Sequence, residues 1–545
     1  MAYPLSVLMQ FFQWCNTFFA AGILPLLITS DASVVTLPYG SFQGSTSGHV
    51  TSFLGMPYAQ PPLGNLRFAP PQAPNIFDGV RPATSYGAAC LAQHVAPPPI
   101  NTSASAVSTS ASIVHVSEDC LFVNVVTPAT VNTSEKLPVL FVGSFVEGAS
   151  GGNPGNIIVA RSITLGEPII FVSFNYRLNA FGFLAGEEVE KARLTNIGLR
   201  DQRFAMEWVQ QYISSFGGDP DKVTIWGESA GSFSVGLQML INNGDAQGLF
   251  RAAVMESGSA YALRNVSEGQ VYYDFLVDHT GCSGQADTLA CLREAPAEQI
   301  IAAVNKTPTM FSYTAHNLPW APRVDGDLFV RNPQQSLLMG LHAKVPIISG
   351  DCEDEGTLFS LGNLNITYIP VATPAEIAAV GSAYPDDPSL GSPFDTGNDY
   401  TLSPQYKRIA AFTGDWQFQA PRRLTLSVIS KTHDAWAYLF RRPKATPQKY
   451  LGVAHASDLS EFFAHVDYIG MDALVNFVTQ LNPNAPPGLP ANVSHLSGVQ
   501  WPRWRAHNAT ASLLTFQDPV PDFDFTPDTF RAAPMALLTN LSLKL

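Results

Sequence analysis

The sequence predicts an α/β protein with a large, mostly parallel central sheet flanked by helices on both faces. Two observations carry that prediction. Short β-branched runs alternate with helical patterns through the middle of the chain, as happens when a parallel sheet is buried between helical layers. One of these runs, Val223-Thr-Ile-Trp226, passes through a tight Gly227-Glu-Ser229-Ala-Gly231 turn straight into a helical stretch. With 545 residues, 46% of them apolar and 14% charged, the chain can bury a core of that size.

In chain order, the first 32 residues are largely apolar and carry no Lys or Arg; the first Lys or Arg is Arg67. Residues 1–32 read as a secretory signal ending in the small polar run Thr29-Ser-Asp-Ala32, which leaves 33–545 as the working domain. Eight Asn-x-Ser/Thr sites agree with a secreted, glycosylated chain: Asn101, Asn132, Asn265, Asn305, Asn365, Asn492, Asn508 and Asn540. Cysteine spacing fits that compartment. Cys90 and Cys120 can close one loop and Cys282 and Cys291 a smaller one, while Cys15 leaves with the signal and Cys352 remains as a buried thiol. The run from Pro97 to Ser112, rich in Pro and Ser, reads as an exposed loop tied at both ends.

The core elements follow. Pro168–Ser173 reads as a strand, Arg203–Ser215 as a helix, Val223–Trp226 as a strand and Ser232–Ile241 as a helix; Ala252–Met255 and Val345–Ile348 are further apolar runs. The C-terminal third is rich in loops and Pro. A net charge of −14 argues against nucleic acid or an anionic membrane as a partner. Beyond the N-terminus no segment reaches the roughly 18 apolar residues of a bilayer span, so no stable membrane insertion is expected after signal cleavage.

Two stretches fit Gly-x-Ser-x-Gly: Gly148-Ala-Ser150-Gly-Gly152 and Gly227-Glu-Ser229-Ala-Gly231. A nucleophile elbow needs a strand before it and a helix after it, with glycines letting the two approach. Ser229 has both. Ser150 is followed by Gly-Gly-Asn-Pro-Gly, which cannot start a regular helix, so it is a loop serine.

Around Ser229 the chain resembles the type-B carboxylesterases, the family of cholinesterases and the large fungal lipases and sterol esterases. The resemblance rests on FLGMPYAQPPLGNLRFAPP (Phe53–Pro71), SEDCLFVNV (Ser117–Val125), FNYRLNAFGFL (Phe174–Leu184), the run Asn196–Ser232, MESGS (Met255–Ser259) and DEGTLF (Asp354–Phe359), all in the family order. It implies an α/β-hydrolase fold. It also implies a triad of Ser229, the glutamate of DEGT, Glu355, and the histidine of Gly-x-x-His, His455. In that chemistry the histidine takes the serine's proton and the acid orients and stabilises the imidazole. Asp351, Glu353 and Asp354 crowd Glu355 as alternative acids.

The resemblance further implies oxyanion donors from Ala230 and from a His-Gly-Gly-Gly-Phe-x-x-Gly loop. Here Phe145-Val-Glu-Gly148 fits the tail of that loop, which puts Gly143 and Ser144 on the last two glycines; the histidine and first glycine are missing. The Cys90–Cys120 loop sits where related lipases carry a lid, and the residues after Cys90 offer no aromatic to a lipid surface. That favours an esterase for more soluble esters. No motif for a cofactor or metal stands in the chain. The expected function is serine ester hydrolysis on a small-molecule or lipid ester; the alternatives are a lipase or sterol esterase and a catalytically impaired cholinesterase-like binding protein.

Overall fold

The apolar runs become strands of one eleven-stranded sheet. The computed structural model describes residues 33–95, 115–130, 136–143, 155–312, 317–361, 372–442, 448–463, 466–506 and 511–545. The proposed signal 1–32, Ser144, Ser150, most of the Cys90–Cys120 loop, and Asn101, Asn132, Asn365 and Asn508 lie outside them. The strands are β1 (Ser45–Ser47), β2 (Val50–Pro57), β3 (Phe122–Pro128), β4 (Leu137–Gly143), β5 (Ile170–Phe174), β6 (Gly218–Glu228), β7 (Ala252–Glu256), β8 (Ile347–Cys352), β9 (Ala435–Phe440), β10 (Ser512–Phe516) and β11 (Phe523–Pro527). Their order across the sheet is β11-β10-β9-β8-β7-β6-β4-β5-β3-β2-β1. Strands β4 to β10 run parallel, and antiparallel strands finish both edges.

Strands covered on both faces must be apolar on both, and β9 shows it. Ala435, Ala437 and Leu439 pack into one buried cluster, while Trp436, Tyr438 and Phe440 enter the cluster on the opposite side. The period of two thus serves two cores at once. The helices that cover these faces include α1 (Asn156–Leu165), α2 (Ile197–Tyr212), α3 (Ala230–Gln238), α4 (Ala420–Ile429), α5 (Leu459–Phe463) and α6 (Ile469–Gln480).

Helix α2 starts six residues before the expected Arg203. The run Arg200-Asp201-Gln202 looks polar, but Asp201 is fully buried in a two-pronged pair with Arg177, at 2.6 and 2.8 Å. A charge satisfied in this way can sit where an apolar residue was expected. At the other end a short 3-10 turn, Ile213–Phe216, closes on Gly217, whose φ of 86° suits glycine. The C-terminal third holds more helix than its composition suggested, α4 to α6 among it.

Both cysteine pairs are bonded, Cys90 to Cys120 and Cys282 to Cys291, and Cys352 is free and buried. Arg67 joins the two bridged segments. It pairs with Glu118 at 2.6 Å and donates to the carbonyls of Leu292, Arg293 and Ala295. Among the described residues no helix is long and apolar enough to cross a membrane.

Candidate active site

The site forms where the strand order reverses. From β4 the chain crosses to β5 on one side, then through α2 to β6 on the other, and a crevice opens at the carboxyl ends of the strands at such a point. Ser229 follows β6 directly, with φ 56° and ψ −123°, a conformation that costs free energy and persists only where neighbours hold it. Its amide donates to the carbonyl of Glu256 on β7 at 2.9 Å. Glycine is needed at position 227. A Cβ on Gly227 would fall 2.3 Å from the Gly231 carbonyl carbon, because strand and helix touch there.

Three side chains then line up. Ser229 Oγ donates to His455 Nε2 at 2.7 Å, and His455 Nδ1 donates to Glu355 Oε2 at 2.5 Å. The other oxygen of Glu355 accepts from the Ser257 hydroxyl at 2.7 Å and from the Cys352 amide at 2.6 Å. A carboxylate with three donors is held in one orientation. Phe359 and Phe418 lie 5.0 and 4.9 Å from the imidazole, so this contact is shielded from water. Burial alone would push His455 down. The Glu355 carboxylate overcomes that and, with Glu228 and Asp458 adding, raises it to about 9. Glu228 Oε1 stands 3.5 Å from His455 Nε2.

The three neighbouring acids are engaged elsewhere. Asp351 pairs with Arg422 and Glu353 with Arg441. Asp354 accepts from the amides of Val453 and Phe394 and from the Ser392 hydroxyl, at 2.7–2.9 Å. It thereby anchors the loop that carries His455. That loop turns at Gly452, whose φ is 56° and whose Cβ would sit 2.3 Å from Asp354 Oδ2.

Of the expected oxyanion donors, Ala230 opens α3, where the first backbone amides lack partners within the helix. Gly143 ends β4, in register with Gly227 of β6, so the two strand ends lie side by side. The Gly-Ala-Ser150-Gly-Gly stretch and Ser144 fall outside the described residues. Asn265, Asn305, Asn492 and Asn540 are all exposed. Among the described residues no group of three or more His, Cys, Asp or Glu is arranged to hold a metal. Sequence reasoning missed Ser257 and the anchoring part of Asp354. Ser257 stands in the quoted MESGS stretch, but only the strand pairing reveals that it faces Glu355.

Comparison with known proteins points one way. A model of the carboxylesterase family matches residues 31–520. The secreted triacylglycerol lipase LIP1 of Gibberella zeae is 36% identical over 539 residues, covering 91% of this chain and 89% of its own. Lipase 4 of Diutina rugosa is 36% identical over 557 residues, covering 95% and 98%. The crystal structure of Aspergillus niger EstA overlays with a TM-score of 0.78 at 28% identity, covering 94% of this chain and 99% of that one.

Proposed function

The chain belongs to the carboxylesterase family and is a carboxylic ester hydrolase, and from that premise we propose that it works through an acyl-enzyme on Ser229. His455 takes the proton from Ser229 Oγ as the serine attacks the ester carbonyl, then returns it to the leaving alcohol. Glu355 keeps the imidazole in the tautomer whose Nε2 accepts, and stabilises the imidazolium. The same base activates the water that releases the acid. The amide of Ala230, with those of Gly143 and Ser144, receives the oxyanion. The single observation behind this reading is the unbroken chain Ser229–His455–Glu355, with contacts of 2.7 and 2.5 Å.

The intact chain of contacts speaks against the binding-protein alternative. For the substrate, the relatives' printed names, a secreted triacylglycerol lipase and Lipase 4, favour lipid esters, and this reading now stands beside that of more soluble esters. The printed name of LIP1, a secreted lipase, supports secretion; removal of 1–32, with 33–545 as one hydrolase domain, is the reading proposed with it. The test is the release of nitrophenol from nitrophenyl esters of short and long acyl chains. A burst followed by steady turnover is expected, and Ser229→Ala should abolish both while remaining folded. Equal turnover by the folded Ser229→Ala protein would overturn the assignment.

A further inference from the structure

Away from the triad, one buried cation has no counter-charge. Among the described residues Arg67, Arg177, Arg422 and Arg442 are buried, and each pairs with a carboxylate at 2.6–3.0 Å. Arg203, buried too, reaches the side-chain oxygen of Gln247. Arg323 is only 5% exposed, and no carboxylate pairs with it among the described residues. Its Nη2 donates to the carbonyls of Leu318 and Pro319, both at 3.1 Å, and its Nε finds no acceptor. The acid that acts on it most strongly, Glu268, is taken up at 2.9 Å by Arg264, the residue in register with Arg323 on a short neighbouring strand. A guanidinium stays charged even when buried, and a buried charge without a partner is costly.

The fold fixes this residue firmly. The Arg323 amide donates to Asn196 Oδ1 and its carbonyl accepts from Asn196 Nδ2, each at 2.9 Å. The side chain lines a cavity of about 70 Å³, to which Arg264 also contributes. No Asp or Glu lines it among the described residues, although the whole chain carries 44 acids against 30 bases. Leu263, Leu318, Trp416 and Pro421 give it apolar walls. Neither Ser229 nor His455 lines it, but aromatic rings connect the two places. Tyr261 of the lining packs on Phe233 at 4.8 Å, Phe233 on Phe418 at 5.6 Å, and Phe418 on the His455 ring at 4.9 Å. Trp416 and Phe418 share the single π turn Asp415–Gln419 that leads into α4, a feature that recurs at functional sites.

We propose that this cavity binds a short-chain monocarboxylate, with Arg323 as its charge partner, at a site separate from the triad. The carboxylate supplies the missing counter-charge through charge-assisted hydrogen bonds. The apolar walls suit an alkyl tail. The volume is about half that of a cavity known to take benzene, which admits a few carbons and excludes a long acyl chain or a sterol. The ligand is also in supply, because a carboxylic ester hydrolase releases one carboxylic acid per turnover. An acid held here rests against the turn that carries Phe418, so the product site and the shield of His455 have a wall in common. The inference rests on the ester-hydrolase activity of the family and not on the assignment of the triad.

The test titrates sodium butyrate into the full chain after Ser229 has been blocked with an alkyl phosphonate, with heat and tryptophan fluorescence as readouts. Saturable binding at one site per chain is expected. Arg323→Gln should weaken it about tenfold or more, the worth of a hydrogen bond to a charged group. Ala321→Leu narrows the cavity and leaves the guanidinium in place; it should weaken binding too, and it serves where Arg323→Gln does not fold. Butyramide, of the same size without the charge, should not bind, and chloride at equal concentration should not displace butyrate. Binding that is lost when Ser229 is blocked overturns the proposal, because the acid then sits at the triad. Unchanged affinity in either folded variant, or equal binding of butyramide or chloride, overturns it as well. Phosphonate that fails to label the protein counts against the triad reading alone, and the titration of the unlabelled variants still decides this one.

Discussion

Ser229 is held by its surroundings at φ 56°, and its reactivity depends on how His455 is charged. The imidazole must be neutral to accept the serine's proton, so kcat/KM rises as pH climbs through the His455 pKa. The carboxylate of Glu228, 3.5 Å from Nε2, favours the charged form. Glu228→Gln should therefore shift the acidic limb to lower pH, and activity should reach its plateau earlier. A limb that stays or moves upward rules this role out. At this scale the sequence was legible where chemistry is written in contiguous residues: Ser229 in its turn, Glu355 in DEGT, His455 after Gly452. It was silent on the supporting role of Ser257 and the anchoring role of Asp354. Their partners are about a hundred positions away, and neither residue stands out by type or period.

Between elements, the most informative contact is the clasp where β9 ends against α5 and the start of α6. Arg442 reaches Glu461 of α5 at 2.6 Å and Asp467 at 2.7 Å. The two carboxyls share a proton: burial and the neighbouring Asp467 raise Glu461 to about 8. Asp467 is lowered; burial opposes that shift, but Glu461, the Ile469 amide and Arg442 outweigh it. A folded pKa above the ordinary 4.5 means that the folded state binds the extra proton between those values. The stability it contributes is complete below about 4.5 and is lost as pH rises through about 8. Thermal midpoints measured across that window should fall with pH, and less steeply for Glu461→Gln. Equal slopes for both proteins would remove the clasp from the account. Elements themselves were legible where apolar runs lie between turn residues, as in β5 and β7. Helix α2 was read short because the polar run Arg200-Asp201-Gln202 interrupts its apolar pattern, with Asp201 kept inside by its pair with Arg177, a tertiary effect that no local pattern carries.

Over the whole molecule, stability is shared between two apolar layers and a tied periphery. The Cys90–Cys120 bridge spans 30 positions, which by chain entropy corresponds to about 3–4 kcal/mol. Replacing both cysteines by serine should lower the denaturation midpoint by a corresponding amount in a denaturant titration. An unchanged midpoint would mean that Arg67, clamped to Glu118 and to the carbonyls beside Cys291, holds the segment without the bridge. The family was legible across nearly the whole chain because its motifs are long and ordered. Much of what they encode is scaffold: the Arg of FNYR and the Asp of LRDQ serve the core, not the reaction.

The adjacent carboxyls of Asp354 and Glu355 take hold of one loop two residues apart, at the Val453 amide and at the His455 ring. A loop fastened at a single point can swivel; one fastened at two cannot. Acid and base therefore travel as one rigid part, seated on β8, while the nucleophile belongs to another, seated on β6. The working clearance of this catalyst is the gap between those two parts, and β7 is the spacer that sets it.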